Sequence, residues 1–293
     1  MLRGTVFDFA ADYSIIAAIS THQARNGRFM EQQRVAGIGQ WFDDYTRTFL
    51  DTDPEGLGNI LLKIEHTRKV CAVSDILAAG EGLSANEARI AATVALLHDV
   101  GRFPQYRRWR TFRDSDSDNH ARLSLEVLTE HNLLDGLDPA ERLLVEEAVR
   151  FHNLLELPER VGSPTRLFMR LIRDADKLDI WRIFLELFAL PVEQRASAAT
   201  LDLPDLPGCT PACRDALQGQ NVVRLDQCRV LNDFKLLLIS WALDLRFVSS
   251  YRLLLESDYI PRLAGTLNGE LEIGAAIEGI LREAARRGND CNT

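Results

Sequence analysis

In the stretch VALLHDVGRFPQYRRWRTFRDSDSDNHARLSLEVL, residues 94–128, an apolar helix ends with His98 and Asp99 side by side. Burying unpaired polar groups costs free energy, and burying charge costs far more. A bound cation would compensate both side chains, so this pair indicates a metal site. Arginines and a further histidine, His120, follow within the same stretch.

Helix signals surround this stretch on both sides. The segment SANE, residues 84–87, has the pattern of a capping box, and Gly101 is placed to stop the helix that follows it. The segment DPAE, residues 138–141, repeats the pattern, with proline at the first helical position and Glu141 reaching back to the N-cap. That second helix is predicted to run to about Phe151 or His152.

Helical patterning extends over most of the chain. Residues 59–79 and 164–188 carry apolar side chains at helical spacing, and no alternating strand pattern appears in the sequence. The sequence therefore predicts an all-α fold. A proline-rich break at 201–213 precedes a further helical stretch that starts near Asp226. We divide the chain into an N-terminal helical lead-in, a metal-binding core and a C-terminal helical extension packed on the core, at residues 1–58, 59–190 and 191–293.

Composition limits the expected partners and location. The formal net charge of −9 argues against binding of a nucleic-acid polymer, which needs a broad basic face. The sequence shows no export signal and no membrane-spanning segment, so we expect no membrane partner. Five cysteines form no regular framework, which favours a cytoplasmic location, and no second pair completes a zinc site with Cys209 and Cys213. The sequence leaves formation of a homo-oligomer open.

Four of the six histidines fall on the inner face or at the end of a different predicted helix. His66 and His152 continue apolar stripes, His98 ends one helix, and His120 begins another. A single histidine in such a position is more often a hydrogen-bonded core residue, but four together favour a metal site. The other two, expected at the surface or as helix caps, are His22 and His131.

The segment LIRDADKLDIW offers three carboxylates for the same site. Asp174 lies among basic residues at helical spacing, as a solvated ion-pair residue would. Asp176 shares a helix face with the apolar Ile172 and Ile180, four residues to either side, so we assign it as the inward ligand. Asp179 follows about one turn later and is its near neighbour.

The order of His66, then the pair His98 and Asp99, then Asp176 resembles the HD-domain superfamily of metal-dependent phosphohydrolases. LLHDVGRF looks like the signature helix end of that superfamily, and DADKLD looks like its terminal aspartate helix. The resemblance covers roughly residues 59–185. It implies a helical bundle, elaborated in this chain by N- and C-terminal helices.

Two further histidines resemble those of the binuclear members, in which the paired aspartate bridges two metal ions. The resemblance implies one ion held by His66, His98, Asp99 and Asp176, and a second held by Asp99, His120 and His152. It also implies candidate catalytic roles for Asp99, His120 and Asp179. Mixed imidazole and carboxylate ligands suit two divalent transition-metal ions, drawn from Mn, Fe, Ni, Co and Zn.

Two departures separate the chain from the subgroup that cleaves cyclic di-GMP. That subgroup has a His-His-Glu step and a Gly-Tyr-Pro motif, whereas this chain reads His152-Asn153-Leu154 and lacks Gly-Tyr-Pro. The second departure is Leu62, which this chain has in place of an acidic residue one turn before His66. Cyclic di-GMP is therefore not the expected substrate.

The chemistry expected of such a site is hydrolysis of a phosphate ester by metal-activated water. The substrate would be a nucleotide or a related small phosphorylated metabolite. Guanidinium forks match phosphate geometry, which makes substrate-binding candidates of Arg102, Arg107, Arg108 and Arg110. The alternative is a solvated loop in which these arginines pair with the three aspartates of DSDSD, a segment that lacks the glycine and glutamate of a calcium loop.

Two other functions fit parts of the pattern. The ligand set also resembles the di-iron oxygenases of the superfamily, which act on a small polyol or a phosphonate. A sensor or scaffold with a vestigial site would have lost ligands, and none is missing here. The arginine cluster favours the hydrolase.

Overall fold

The computed structural model describes residues 30–50, 53–154, 156, 158–159, 161–191, 203–269 and 271–290. Over these residues the chain folds into α-helices joined by loops and short 3-10 turns, with no strand. The helices are α1 Gln32–Arg47, α2 Pro54–Gly80, α3 Ala85–Leu97, α4 Arg102–Trp109, α5 His120–Glu130, α6 Pro139–Phe151, α7 Ser163–Ala189, α8 Pro211–Gln218, α9 Leu231–Ser240, α10 Val248–Glu256, α11 Tyr259–Ala264 and α12 Gly274–Asn289. The prediction of an all-α fold is confirmed.

None of the described helices combines the length and the apolar character needed to cross a membrane. The expectation for His22 lies outside the described residues. His131 is the exposed C-cap of α5, as expected.

Helices α2, α3 and α7 form the centre of the bundle. Helix α2 packs against both α3 and α7, and α6 packs against α3 and α7. Val70, Leu97 and Trp181 are completely buried among them. Because the apolar faces of these helices meet in the core, the histidines that continue those faces are carried to the same place.

The two predicted capping boxes have different outcomes. Ser84 accepts a hydrogen bond from the backbone of Glu87, whose carboxylate accepts one from the backbone N–H of Ser84, so the first box is confirmed. Asp138 caps α6 as expected by accepting from the backbone N–H of Ala140. Glu141, however, is buried and accepts a hydrogen bond from Asn86 Nδ2 at 2.7 Å. It therefore ties α6 to the start of α3 and does not reach back to its own N-cap.

Gly101 serves close packing and does not end α3, which already ends at Leu97. Its φ angle of −68° is one that any residue adopts. A Cβ atom there would lie 2.3 Å from the backbone nitrogen of Ser124, far inside van der Waals contact. The backbone N–H of Gly101 also donates to Ser124 Oγ at 2.9 Å. Glycine thus lets α5 approach the end of α3, which brings His120 towards Asp99.

The C-terminal helices pack on the central bundle, where α10 contacts α2 and α7 and α11 contacts α7. Asp174 of α7 helps to hold this junction: its Oδ2 accepts from the backbone N–H groups of Arg246 at 2.8 Å and Phe247 at 3.2 Å. Asp174 is only 1% exposed, so the expectation of a solvated ion-pair residue is wrong. The prediction used only the helical spacing within α7, and that spacing carries no information about the loop before α10, which covers the face of α7 that bears Asp174.

The two predicted boundaries of the metal-binding core can be compared with the observed helices. The division after residue 58 falls inside α2, which begins at Pro54 because Asp53 Oδ1 accepts from the backbone N–H of Gly56 at 2.7 Å. The division after residue 190 falls just beyond the end of α7.

Replacing Asp174 by alanine should destabilise the protein, because two backbone N–H groups lose their acceptor. We expect Asp174→Ala to lower the free energy of unfolding by about 1–3 kcal/mol, the usual cost of an unsatisfied buried polar group. Urea unfolding of the metal-free protein would measure this change. Asp116→Ala, at an exposed carboxylate, is the control, and equal losses in the two variants would contradict the assigned role of Asp174.

Candidate metal centre

Main-chain oxygens anchor two of the four clustered histidines. His98 Nδ1 lies 2.7 Å from the carbonyl oxygen of Ala95, and His152 Nδ1 lies 2.8 Å from that of Val149. A carbonyl only accepts, so each Nδ1 carries the proton of the neutral ring and donates it. Each Nε2 is left as a lone pair, the form in which imidazole binds a metal ion.

Carboxylates anchor the other two histidines. His66 Nδ1 lies 2.7 Å from Asp179 Oδ2, and His120 Nδ1 lies 2.7 Å from Asp114 Oδ2. A carboxylate beside one ring nitrogen orients the ring and raises the basicity of the other nitrogen. All four histidines therefore turn Nε2 away from an oxygen anchor.

The Asp99 carboxylate lies among these four Nε2 atoms. Its Oδ2 is 3.8 Å from Nε2 of both His66 and His98. Its Oδ1 is 3.5 Å from Nε2 of His120 and 3.8 Å from Nε2 of His152. One oxygen thus faces each pair of histidines.

Asp176 adds a carboxylate to the first pair. Its Oδ1 is 3.1 Å from His66 Nε2 and 3.9 Å from His98 Nε2. Burial and Lys63 act to lower the pKa of His66, but Asp176 and Asp179 outweigh them and raise it. Two overlapping groups of donor atoms have the spacing of a metal site among the described residues: His66 with His98 and Asp176, and His98 with Asp99 and His152.

The donor atoms of this cluster fit metal ions. His66 Nε2, His98 Nε2 and Asp99 Oδ1 are buried and make no hydrogen bond. Nε2 atoms of His120 and His152 lie 3.0 Å apart, and with both Nδ1 atoms anchored to oxygens, two lone pairs face each other. Buried polar atoms are normally satisfied, so this set of atoms indicates a cation site.

Two cationic side chains border the cluster. Lys63 Nζ lies 2.8 Å from Asp99 Oδ2, and Arg102 Nε lies 3.4 Å from Asp99 Oδ1. Burial acts to raise the pKa of Asp99, but Lys63 and Arg102 outweigh it and hold the pKa well below its usual range. Burial lowers the pKa of His98 to about 4, and burial together with Arg102 lowers that of His120 to about 3. Ionised aspartate and neutral imidazole are the forms that bind metal.

Only one of the four predicted phosphate-binding arginines lies at the cluster. Arg102 lines the cavity there, and its Nη2 lies 3.3 Å from His120 Nε2. The structure does not bring the other three to that cavity. They occupy the last turn and the C-cap of α4, one or more helical turns beyond Arg102.

Each of these three arginines has a partner elsewhere. The Arg107 guanidinium lies 3.8 Å from the centre of the Phe49 ring, and that of Arg108 lies over the ring of the next residue. Arg110 Nη2 lies 2.8 Å from Asp53 Oδ2. Their roles as substrate-binding residues remain predictions, and the structure places their side chains away from the cavity, because closeness in sequence does not give the direction in which a helix carries its side chains.

Sequence reasoning missed several polar residues of the cavity, which has a volume of about 620 Å³. Lys63 lies three residues before His66 on the same helix, so helical spacing could have identified it. Asp114 was expected in a solvated loop, but a 3-10 turn brings it to His120. Burial acts to raise the pKa of Asp114, but its hydrogen bond with His120 outweighs burial and lowers the pKa to about 2. No sequence signal indicates this turn. The cavity also includes Arg113 and Asn153.

Asp179 lies behind the cluster, although it was a candidate catalytic residue. It is 2% exposed and does not line the cavity. Its Oδ1 accepts from Arg182 Nε at 2.6 Å, while its Oδ2 contacts His66 Nδ1. Asp179 is therefore a positioning residue that acts through His66.

Comparison with known proteins gives a family for this region. The family model described as HD domain matches residues 64–181. That range contains every residue of the cluster. Neither the curated proteins nor the solved structures gave a match to the chain.

Removing the Asp179 carboxylate should weaken metal binding without removing a donor atom. Partners of this kind typically contribute about 10- to 100-fold in metal affinity, so we expect that loss for Asp179→Ala. Competition against a chromophoric chelator would measure the affinity for manganese. Asp118→Ala, at a partly exposed carboxylate that pairs with Arg122 and does not contact the cluster, should leave the affinity unchanged. Unchanged affinity in Asp179→Ala with lost activity would show that Asp179 acts on the substrate directly.

Proposed function

We propose that the chain is a phosphohydrolase with a binuclear metal centre, on the premise that residues 64–181, which match the family model described as HD domain, form such a domain. The reaction is hydrolysis of a phosphate ester in a nucleotide or a related small phosphorylated metabolite. HD domains bind divalent metals, and the two overlapping donor groups supply ligands for such ions.

The position of Asp99 carries this proposal. Each of its oxygens faces one histidine pair, so a single carboxylate can serve two ions. We assign His66, His98 and Asp176 to the first ion and His120 and His152 to the second, with Asp99 shared. Held by these residues, such ions would supply a water of lowered pKa as the nucleophile for a phosphoryl group near neutral pH.

The surrounding side chains support a charged substrate. Lys63 and Arg102 border the metal ligands and provide donors for phosphoryl oxygens. Burial together with Arg102 lowers the pKa of His120, which favours the neutral imidazole that can bind a metal ion. The cavity wall also includes Phe112 and Trp241, which can cover an apolar part of the substrate.

Metal analysis of variants tests the binuclear assignment. We expect two ions per chain in the wild-type protein, about one in His120→Ala, and loss of both in Asp99→Ala, because the shared carboxylate is removed. Elemental analysis after reconstitution with manganese would measure these ratios, with Asp118→Ala as the control. A wild-type protein that holds a single ion would contradict the assignment.

Substrate affinity tests the arginine assignment. Arg102→Ala should raise KM for a phosphate monoester by about 10- to 150-fold, which corresponds to about 1.5–3 kcal/mol for a hydrogen bond to a charged group. Arg102→Lys should restore part of the loss, since an ammonium cannot reproduce a guanidinium fork. Arg108→Ala is the matched control and should leave KM unchanged. Equal effects at positions 102 and 108 would contradict the assignment.

Protein reconstituted with iron separates the hydrolase from the di-iron oxygenase. A hydrolase releases inorganic phosphate with no use of dioxygen. Dioxygen consumption in proportion to product, without phosphate release from any ester, would replace the proposed function with an oxygenase.

A further inference from the structure

A second cavity, of about 530 Å³, begins at the metal centre and extends away from it. His152 and Asp176 line it on the side of the centre. Its far side is lined by Arg173, Lys177 and Arg224, together with the carboxylates of Asp226 and Asp244. Arg173 lies about one helical turn before Asp176 on α7, so this part of the far side is close to a proposed metal ligand.

The far side has more cationic than anionic groups. Asp244 Oδ2 lies 2.9 Å from Arg173 Nη2 and also contacts Lys177 Nζ, while its Oδ1 lies 2.8 Å from Arg246 Nη2. Three cations thus share one carboxylate. Arg173 and Lys177 are only 11% and 10% exposed, so water screens their charge less than at the surface.

Arg224 is a further cation that can reach an incoming group. Its Nη2 lies 2.8 Å from Asp226 Oδ2, and the two side chains are 56% and 64% exposed. Exposed ion pairs of this kind contribute little stability, so an anionic ligand can compete for the guanidinium.

A neighbouring cavity extends the cationic surface. It shares Arg173, Arg224 and Asp244 with the second cavity and adds further arginines, Arg166, Arg170 and Arg246. Two acidic residues also line it, Glu156 and Asp174, and Asp174 is directed to backbone N–H groups. The chain as a whole carries a net charge of −9, so this excess of cations is local.

We propose that Arg173, Lys177, Arg224 and Arg246 form a distal anion site for a second acidic group of the substrate. This inference rests on the proposed function, because the first phosphate would lie at the metal centre. Between the two ends, Ile180, Leu225 and Trp241 give the cavity an apolar wall. The substrate class is therefore an organic phosphate with an apolar or planar middle and a second anionic group, either phosphate or carboxylate.

Three matched compounds test the distal anion site: a phosphate monoester with a terminal hydroxyl, the same chain with a terminal carboxylate, and the same chain with a second phosphate. We expect KM to be at least about tenfold lower for one or both compounds with a second anionic group, as a hydrogen bond to a charged group provides. Preference for only one of them identifies the second group. Equal KM values for all three compounds would overturn the inference and leave the proposed function standing.

Surface variants link that preference to the site. Arg224→Glu and Arg246→Ala should remove most of the preference for the compounds with a second anionic group, while leaving KM for the hydroxyl compound unchanged. Arg282→Ala, at an exposed arginine on α12, is the control. Equal effects of Arg224→Glu on all three compounds would overturn the inference.

Calorimetric titration of the same compounds into the manganese-loaded protein keeps the two proposals separate. The compounds with a second anionic group could bind in a way that depends on Arg224 while no compound is hydrolysed. That result would support the distal anion site and contradict the phosphohydrolase. Binding that is the same in Arg224→Glu and the wild-type protein would contradict the distal anion site.

Discussion

The site depends on the placement of one carboxylate, that of Asp99, among four imidazole nitrogens. A buried aspartate costs free energy unless its oxygens have partners. Here Lys63 Nζ lies 2.8 Å from Oδ2, while the distances of 3.5–3.8 Å from the two oxygens to the histidine Nε2 atoms are too long for hydrogen bonds and leave room for cations. The close approach of α5 to Gly101 contributes to this arrangement, because it brings His120 within reach of the same carboxylate. The helix packing at Gly101 and the proposed metal ligands therefore both lie at the end of α3.

Much of the fold could be predicted from the sequence, because helix ends carry local signals. The capping box at Ser84 and the N-cap at Asp138 depend on residues within a few positions of one another, and both form. The choice of Asp176 over Asp174 used helical periodicity, and the structure places Asp176 beside His66. The same periodicity was wrong about exposure at Asp174, because a loop distant in sequence covers that face of α7.

Other features of the site depend on contacts that local patterns do not contain. Asp114 reaches His120 only because of a 3-10 turn in a segment that reads as a solvated loop. Arg107 and its neighbours formed a local cluster of charge, yet α4 carries them towards the loop between α1 and α2. The cations of the distal anion site come from α7 and from the loops around α9, and these segments meet only in the folded chain. Side-chain direction and long-range packing decided these cases.

Anomalous diffraction from crystals soaked in manganese tests the central claim most directly. We expect two peaks per chain, one next to each oxygen of Asp99. The first peak would lie beside His66, His98 and Asp176, and the second beside His120 and His152. A single peak, or peaks that do not contact Asp99, would contradict the shared carboxylate on which the account rests.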